Sequence, residues 1–381
     1  MPKNKELFRD LLNQADIEIN GTRPWDIIVN DDKLFDNILL DGTIAFGEGY
    51  MTRLWDCERI DILISKLLRS NIEDKLSGID KVKFAANYGV TKLKSLINHQ
   101  AVNRVKEDVP FHYDIGNDLF VNMLDERMAY TCAYWKDAKT LDQAQEHKMD
   151  LICRKLNLQP GMRLLDIGCG WASFMNYAAA KYGVICDGLT LSKEQMALGQ
   201  EIANKKKLPV KIILQDYREF TPEQPYDRVV SIGMIEHVGP SNYDEYFKCA
   251  NSFLTDECVF LLHTIGSPTS KNGTDPWINK YIFPNGVIPS LSQLSSSVEN
   301  QFNIEDVHNF GPDYDLTLMA WCEKFEKNWF KIYKNYDATF YRMWRFYLLS
   351  CAGAFRCRDI SLWQIALTKI GTDLPVNARA A

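Results

Sequence analysis

Arg163-Leu-Leu-Asp-Ile-Gly-Cys-Gly-Trp-Ala172 reads as a short buried strand that runs straight into a glycine turn. Glycines let the backbone come close to a ligand, and the helix expected next offers free N–H groups at its start. Upstream, a helix through Leu151 and Leu156 ends near Pro160-Gly161. Downstream, four more apolar runs follow, at 184–190, 210–215, 227–232 and 258–263. Helical stretches separate most of them. This alternation is the signature of an α/β fold built on a doubly wound parallel sheet. Residues 316–365 read as helix, dense in aromatics from Trp321 to Tyr347.

Ahead of the sheet the chain reads as a smaller, mainly helical N-terminal domain. Leu7, Phe8, Leu11, Leu12 and Ala15 keep helical spacing, and so do Ile60, Ile62, Leu63, Leu67 and Leu68. Between them, Asn20-Gly21 breaks the first helix and a strand-like run ends at Val29. Residues 81–106 carry Lys81, Lys83, Lys92, Lys94, Arg104 and Lys106 with no Asp or Glu, interleaved with Phe84, Tyr88 and Leu93. Such a basic amphipathic stretch is either a solvated linker face or a surface for anionic lipid headgroups. The expected division is 1–106 for lipid docking and self-association, and 107–381 for catalysis.

Composition narrows the function. The 381 residues carry a net charge of −6, which argues against a nucleic-acid binder. Aromatic residues make up 12% of the chain, and that suggests a π-lined or apolar site. The opening residues lack the apolar run of a secretory signal, and no stretch reaches the ~20 apolar residues of a membrane span. None of the ten cysteines forms a C-x-x-C pair. They read as reduced, mostly buried thiols of a cytoplasmic protein, with no metal site.

The loop after the first strand fits G-x-G-x-x-(G/A), a pattern that dehydrogenases share. Asp166, just before the first glycine, resembles instead the D-x-G-x-G loop of Rossmann-like class I methyltransferases, whose ligand is S-adenosylmethionine. Asp187 sits inside the second strand, not at its tip where a dinucleotide ribose would want an acid. Gln215-Asp216-Tyr217 ends the third strand and suits an adenine. Ligands of such sheets lie beyond the carboxyl ends of the strands. Glu236 follows the tip of the fourth strand and His263 ends the fifth, so the two converge if those strands are neighbours.

Six motifs close the reading: Tyr130-Thr-Cys-Ala-Tyr-Trp135, Leu165-Asp-Ile-Gly-Cys-Gly-Trp171, Gly233-Met-Ile-Glu-His-Val-Gly239, Leu261-Leu-His-Thr-Ile-Gly266, the run from Asp275 to Gly286, and Phe310-Gly-Pro-Asp-Tyr-Asp315. Together they closely resemble the cyclopropane-fatty-acyl-phospholipid synthases, over essentially the whole chain. The resemblance implies methylene transfer from S-adenosylmethionine to a cis double bond of a phospholipid acyl chain. It implies a bound bicarbonate as base, held by the backbones of Cys132 and Ile265 and by Glu236, His263 and Tyr314. It implies a donor site of Tyr130, Thr131, Asp166, Gly168, Gly170, Thr190, Gln195, Asp216, Tyr217 and Ile232. Cys351 matches a cysteine the family counts in its active site, although the chemistry needs no nucleophile. Ala172 stands where the family's loop usually has Gly, Thr131 where it has Ser, and Ile235 where it has Phe.

An alkene is a feeble nucleophile, so the methyl must be held in line with it in a dry pocket. The resulting carbocation would be steadied by aromatic faces, at about 0.5–2 kcal/mol each. Glu236 would be either protonated or accepting from the bicarbonate hydroxyl. Expected partners are unsaturated phospholipids at the inner face of the membrane, met peripherally, and a second copy in a homodimer. Arg342, Arg345, Arg356 and Arg358 are the alternative docking surface. Three other readings compete: a small-molecule methyltransferase, a catalytically dead lipid binder and an NAD-dependent oxidoreductase.

Overall fold

The computed structural model describes residues 3–71 and 116–373. The basic stretch 81–106, the expected boundary at 106/107 and most of the aromatic run from Phe111 lie outside the described residues. The described part forms two compact units. One takes the N-terminal residues together with Thr274–Pro284 and Tyr314–Ile360. The other takes the residues from 116 to Gly273, Asn285–Asp313 and the chain from Ser361 onward. The N-terminal part is therefore completed by two later segments.

In the first unit, helices Lys3–Gln14, Lys33–Met51 and Ile60–Arg69 form where the apolar spacing places them, with a small ribbon of β1 (Ile28–Val29) and β2 (Trp55–Asp56). The aromatic helix Ala338–Cys357 packs on the second and third of these. Gly353 makes the close approach possible, since a Cβ there would lie 2.6 Å from the Asp61 carbonyl oxygen. Beside it the buried Asp61 carboxylate is held by Arg59, at 2.7 and 2.9 Å, and by Arg356. Arg356 also grips Asp315 at 2.8 Å through two nitrogens. Arg342 is spent on the Tyr50 and Trp55 carbonyls and Asp56, and Arg345 on Glu326 and Tyr50. Three of the four arginines expected as an alternative docking surface are thus internal struts.

The second unit is a seven-stranded sheet. Its strands are β3 (Arg163–Ile167), β4 (Ile185–Thr190), β5 (Val210–Leu214), β6 (Tyr226–Ile232), β7 (Leu254–Gly266), β8 (Phe302–Asn309) and β9 (Ser361–Lys369). The order across the sheet is β5-β4-β3-β6-β7-β9-β8. The five strands expected from sequence are parallel neighbours, and β9 and β8 add an antiparallel edge. The reading of 361–365 as helix is corrected here. Leu362, Trp363, Ile365 and Ala366 form a run of apolar residues buried on both faces, a pattern that periodicity alone does not separate from helix. Helices cover both faces. One side buries Ile152, Leu164 and Leu261, and the other buries Leu165, Phe247, Phe260 and Leu262. Successive residues of one strand feed opposite cores, so the strands read as continuous apolar runs.

The Gly353 contact is a test of the first unit. Gly353→Ala forces two helix backbones apart and should lower stability by about 1–3 kcal/mol in denaturant unfolding. A variant as stable as the parent would show that the helices tolerate the extra methyl.

Candidate active site

The cavity at the carboxyl ends of β3 to β6 is built by three local devices. First, Gly168 and Gly170 adopt left-handed φ of +87° and +54°, and the Gly168 and Cys169 N–H groups donate to the Leu189 carbonyl at 3.0 and 2.9 Å. A Cβ at Gly168 would strike Met234 at 2.5 Å, whereas one at Gly170 meets nothing closer than Gln195 at 4.0 Å. The first glycine is needed for packing and the second faces open space. Second, Ser192 caps the helix Lys193–Lys205, accepting the Gln195 N–H at 3.2 Å and bringing Gln195 to Thr190. Third, the segment 129–131 is tied down from the helix Leu141–Lys155. Gln145 donates to the Ala129 and Thr131 carbonyls at 3.3 and 2.8 Å, and Lys148 donates to Thr131 Oγ1 at 2.9 Å.

All ten residues named from sequence for the donor line this one cavity, with Lys148, Trp171, Met234 and His237. Asp216 is engaged by Arg218 at 2.9 and 2.7 Å, and Tyr217 packs edge-on to Tyr246. Asp187, by contrast, accepts from the Tyr226 hydroxyl at 2.7 Å and takes no part in the cavity.

The electrostatics are those of a dry interior. Burial pushes the Asp166 carboxyl up to about 7, with Lys148 pulling the other way, and Asp166 Oδ1 has no protein partner. Burial also brings Lys148 down to about 8 despite Asp125, and His237 down to about 4. Lys148 and Gln145 escaped the sequence reading. Their signal was two polar residues at i, i+3 among Ala144, Met149 and Ile152 on a buried helix face.

Beside the cavity, β6 and β7 run parallel with Ile232 opposite His263, as the convergence of Glu236 and His263 requires. Glu236 sits in the short turn after β6, and its Oε1 accepts the Ile265 N–H at 2.8 Å. Its other oxygen is shut from solvent with no partner. Burial raises this carboxyl to about 7, against the Ile265 hydrogen bond that lowers it. His263 is 1% exposed, and burial, then the charges of Lys148 and Lys155, hold it well below the usual imidazole range. Its Nε2 has no partner. Glu236, His263, Cys132 and Ile265 do not line the donor cavity itself. Cys132 is fully buried, with its thiol donating to the Ala133 carbonyl at 3.1 Å, so it packs as a small apolar residue.

Tyr314 and Cys351 belong to the first unit. The Tyr314 ring lies 4.5 Å from Phe355 and meets Trp321 edge-on. Burial, with Asp275 adding to it, raises the Cys351 thiol to about 12, which favours the protonated thiol at neutral pH. All ten cysteines are free. Among the described residues no cluster of His, Cys, Asp and Glu could hold a metal ion.

Residues 100–365 match the family model of mycolic acid cyclopropane synthetase. Over 365 residues the chain is 48% identical to the cyclopropane-fatty-acyl-phospholipid synthase of Escherichia coli K12, covering 95% of this chain and 93% of that one. A probable fatty acid methyltransferase of Pseudomonas putida is 38% identical over 275 residues, 69% of each chain. Among solved structures, the cyclopropane synthase MmaA2 of Mycobacterium tuberculosis superposes with a TM-score of 0.65 at 35% identity, over 69% of this chain and 98% of that one. The mycolic acid cyclopropane synthase CmaA1, in complex with SAH and CTAB, gives 0.65 at 34% over the same shares. With a match that runs through nearly all of both chains, this protein belongs to the family of the cyclopropane-fatty-acyl-phospholipid and mycolic acid cyclopropane synthases.

Proposed function

We propose that the protein transfers a methylene from S-adenosylmethionine to the cis double bond of an unsaturated phospholipid acyl chain and closes a cyclopropane ring. One observation carries the reading. Two buried polar atoms without a protein partner, Glu236 Oε2 and His263 Nε2, belong to the ends of neighbouring strands, and Met234 and His237, which flank Glu236 in the chain, line the donor cavity. Buried polar atoms in a folded protein are normally paired, and leaving one unpaired costs about 1–3 kcal/mol. On adjacent strands, the two suit a polar ligand.

The cavity suits the donor. Asp166 Oδ1 is a free acceptor for an ammonium group, and Gly170 leaves space for a ligand to approach the backbone. When bound, S-adenosylmethionine supplies an electrophilic methyl on a sulfonium. Bicarbonate, when bound, would be held by the backbones of Cys132 and Ile265 with Glu236 and His263, and would supply a base. Glu236, titrating near 7, can donate to that anion or accept from its hydroxyl, so its charge does not forbid the site. A small-molecule methyltransferase would have no need of an anion there. The test is incubation with S-adenosylmethionine and unsaturated phospholipid vesicles. The lipid should gain the mass of one methylene, and Glu236→Gln should cut turnover roughly 100-fold or more with donor affinity unchanged. A methylated product without a ring would sink the cyclisation.

Donor binding should be linked to protons. Below pH 7 the free Asp166 is mostly protonated, while the donor's ammonium favours the carboxylate. Binding should therefore release a proton, and affinity should fall as pH drops, approaching about tenfold per unit well below the folded pKa. Calorimetry in buffers of different ionisation heat measures the proton. Affinity that stays constant from about pH 8 to pH 5.5 would refute the linkage.

The acyl chains lie in a bilayer, and among the described residues no helix is long and apolar enough to cross one. The proposed docking is peripheral. Besides 81–106, the end of the helix Pro312–Ile332 and the turn after it offer a suitable face. Phe330 and Tyr333 are 67% and 52% exposed, and Lys327, Lys331 and Lys334 surround them with no acid from 327 to 336. Each lysine contributes about 1 kcal/mol near an anionic surface. Changing the three lysines to Glu should weaken sedimentation with anionic vesicles at low salt and spare donor binding. Unchanged sedimentation would leave docking to Lys81, Lys83, Lys92 and Lys94.

A further inference from the structure

β9 places Gln364 directly opposite His263 of β7. Gln364 is 0% exposed, in a strand whose neighbouring residues Leu362, Trp363, Ile365, Ala366 and Leu367 are all buried and apolar. An amide in such a place costs desolvation unless it bonds. Its Nε2 lies 3.3 Å from His263 Nδ1, while its Oε1 has no partner. With the amide turned this way its nitrogen donates and Nδ1 accepts. A neutral imidazole that accepts at Nδ1 carries its proton on Nε2. That Nε2 is the buried atom without a partner described above. Lys148 and Lys155 add positive charge from the helix Leu141–Lys155, and with burial they keep the ring neutral.

We propose that Gln364 is a positioning residue that fixes His263 as the Nε2–H tautomer, so that a neutral histidine presents a hydrogen-bond donor to the anion at the reacting end. The inference rests on the anion reading given above. It assigns His263 the part of holding the base rather than being the base. A carboxylate opposite Nδ1 would do the reverse, accepting from Nδ1–H and leaving Nε2 to accept a proton.

The test reads the tautomer directly. With 15N-histidine in the whole protein, the His263 signals are assigned among the six histidines by their loss in His263→Asn. Nδ1 should resonate as an unprotonated nitrogen and Nε2 as a protonated one. Gln364→Glu, close in size, should accept from Nδ1–H and so move the proton from Nε2 to Nδ1. It should lower kcat roughly 10–100-fold and raise the bicarbonate needed for half-maximal rate, with donor affinity unchanged. Gln364→Met keeps the volume without a polar atom, and its loss should be smaller. An Nδ1–H tautomer in the parent protein overturns the proposal. So does a Glu variant with parental turnover and bicarbonate response. If the Glu variant does not fold, the parent's tautomer and the Met variant decide. Parent enzyme stripped of bicarbonate that turns over unchanged, with the tautomer as expected, overturns the anion reading instead and leaves the assignment of Gln364 to His263 standing.

Discussion

The site depends on the parallel bonding of β6 to β3 on one side and to β7 on the other. After β3 the chain winds outward through β4 and β5, then returns across β3 to form β6. The reversal parts the loops at the carboxyl ends of β3 and β6 and leaves a crevice, the usual ligand position in open α/β sheets. The two loops interlock there. Gly168 admits Met234, and Gly233, at a φ of +68°, faces the Thr131 methyl group, which would lie 2.9 Å from a Cβ. A side chain at either glycine would move the loop that carries Glu236.

Around this crevice the protein holds a set of ionisable groups in low dielectric without pairing them fully. Lys148 and Asp166 are buried and attract one another, yet Asp166 keeps one oxygen free. Glu236 spends one oxygen on the Ile265 N–H and leaves the other open. Each orphaned atom lowers folding stability, and the sheet carries that cost through two apolar cores. Such cost is tolerable where it creates readiness for a ligand. Titration near neutrality also suits groups that must exchange protons without large energetic steps.

The antiparallel edge has a functional part as well as a structural one. β9 lies between β7 and β8. Its buried residues are apolar except Gln364 and Thr368, and Gln364 sits opposite His263 of β7. On the other side of β9, His308 stands opposite Gln364 in β8 and bonds Lys155 at 3.1 Å. His263, Gln364 and His308 thus stand side by side across three neighbouring strands.

The sequence by itself determined the parallel core and the glycine turn that ends its first strand, because both are written locally. Strands buried on both faces must be continuous apolar runs, and a ligand turn must hold glycines and an acid at the end of a strand. The five strands could therefore be read from apolar runs, and the ten residues expected at the donor, most of them implied by the family resemblance, line one cavity. Tertiary structure alone decided the rest. The strand of Leu362 to Leu367 looks like helix until β7 is beside it. Lys148 looks like a solvated helix residue until Thr131 closes over it, and Gln364 looks incidental until register sets it against His263. Arg342, Arg345 and Arg356 look like a charged surface until Tyr50, Glu326 and Asp61 consume them. In each case the partner lies far away in sequence, and burial or pairing is a property of the contact, which no local pattern encodes.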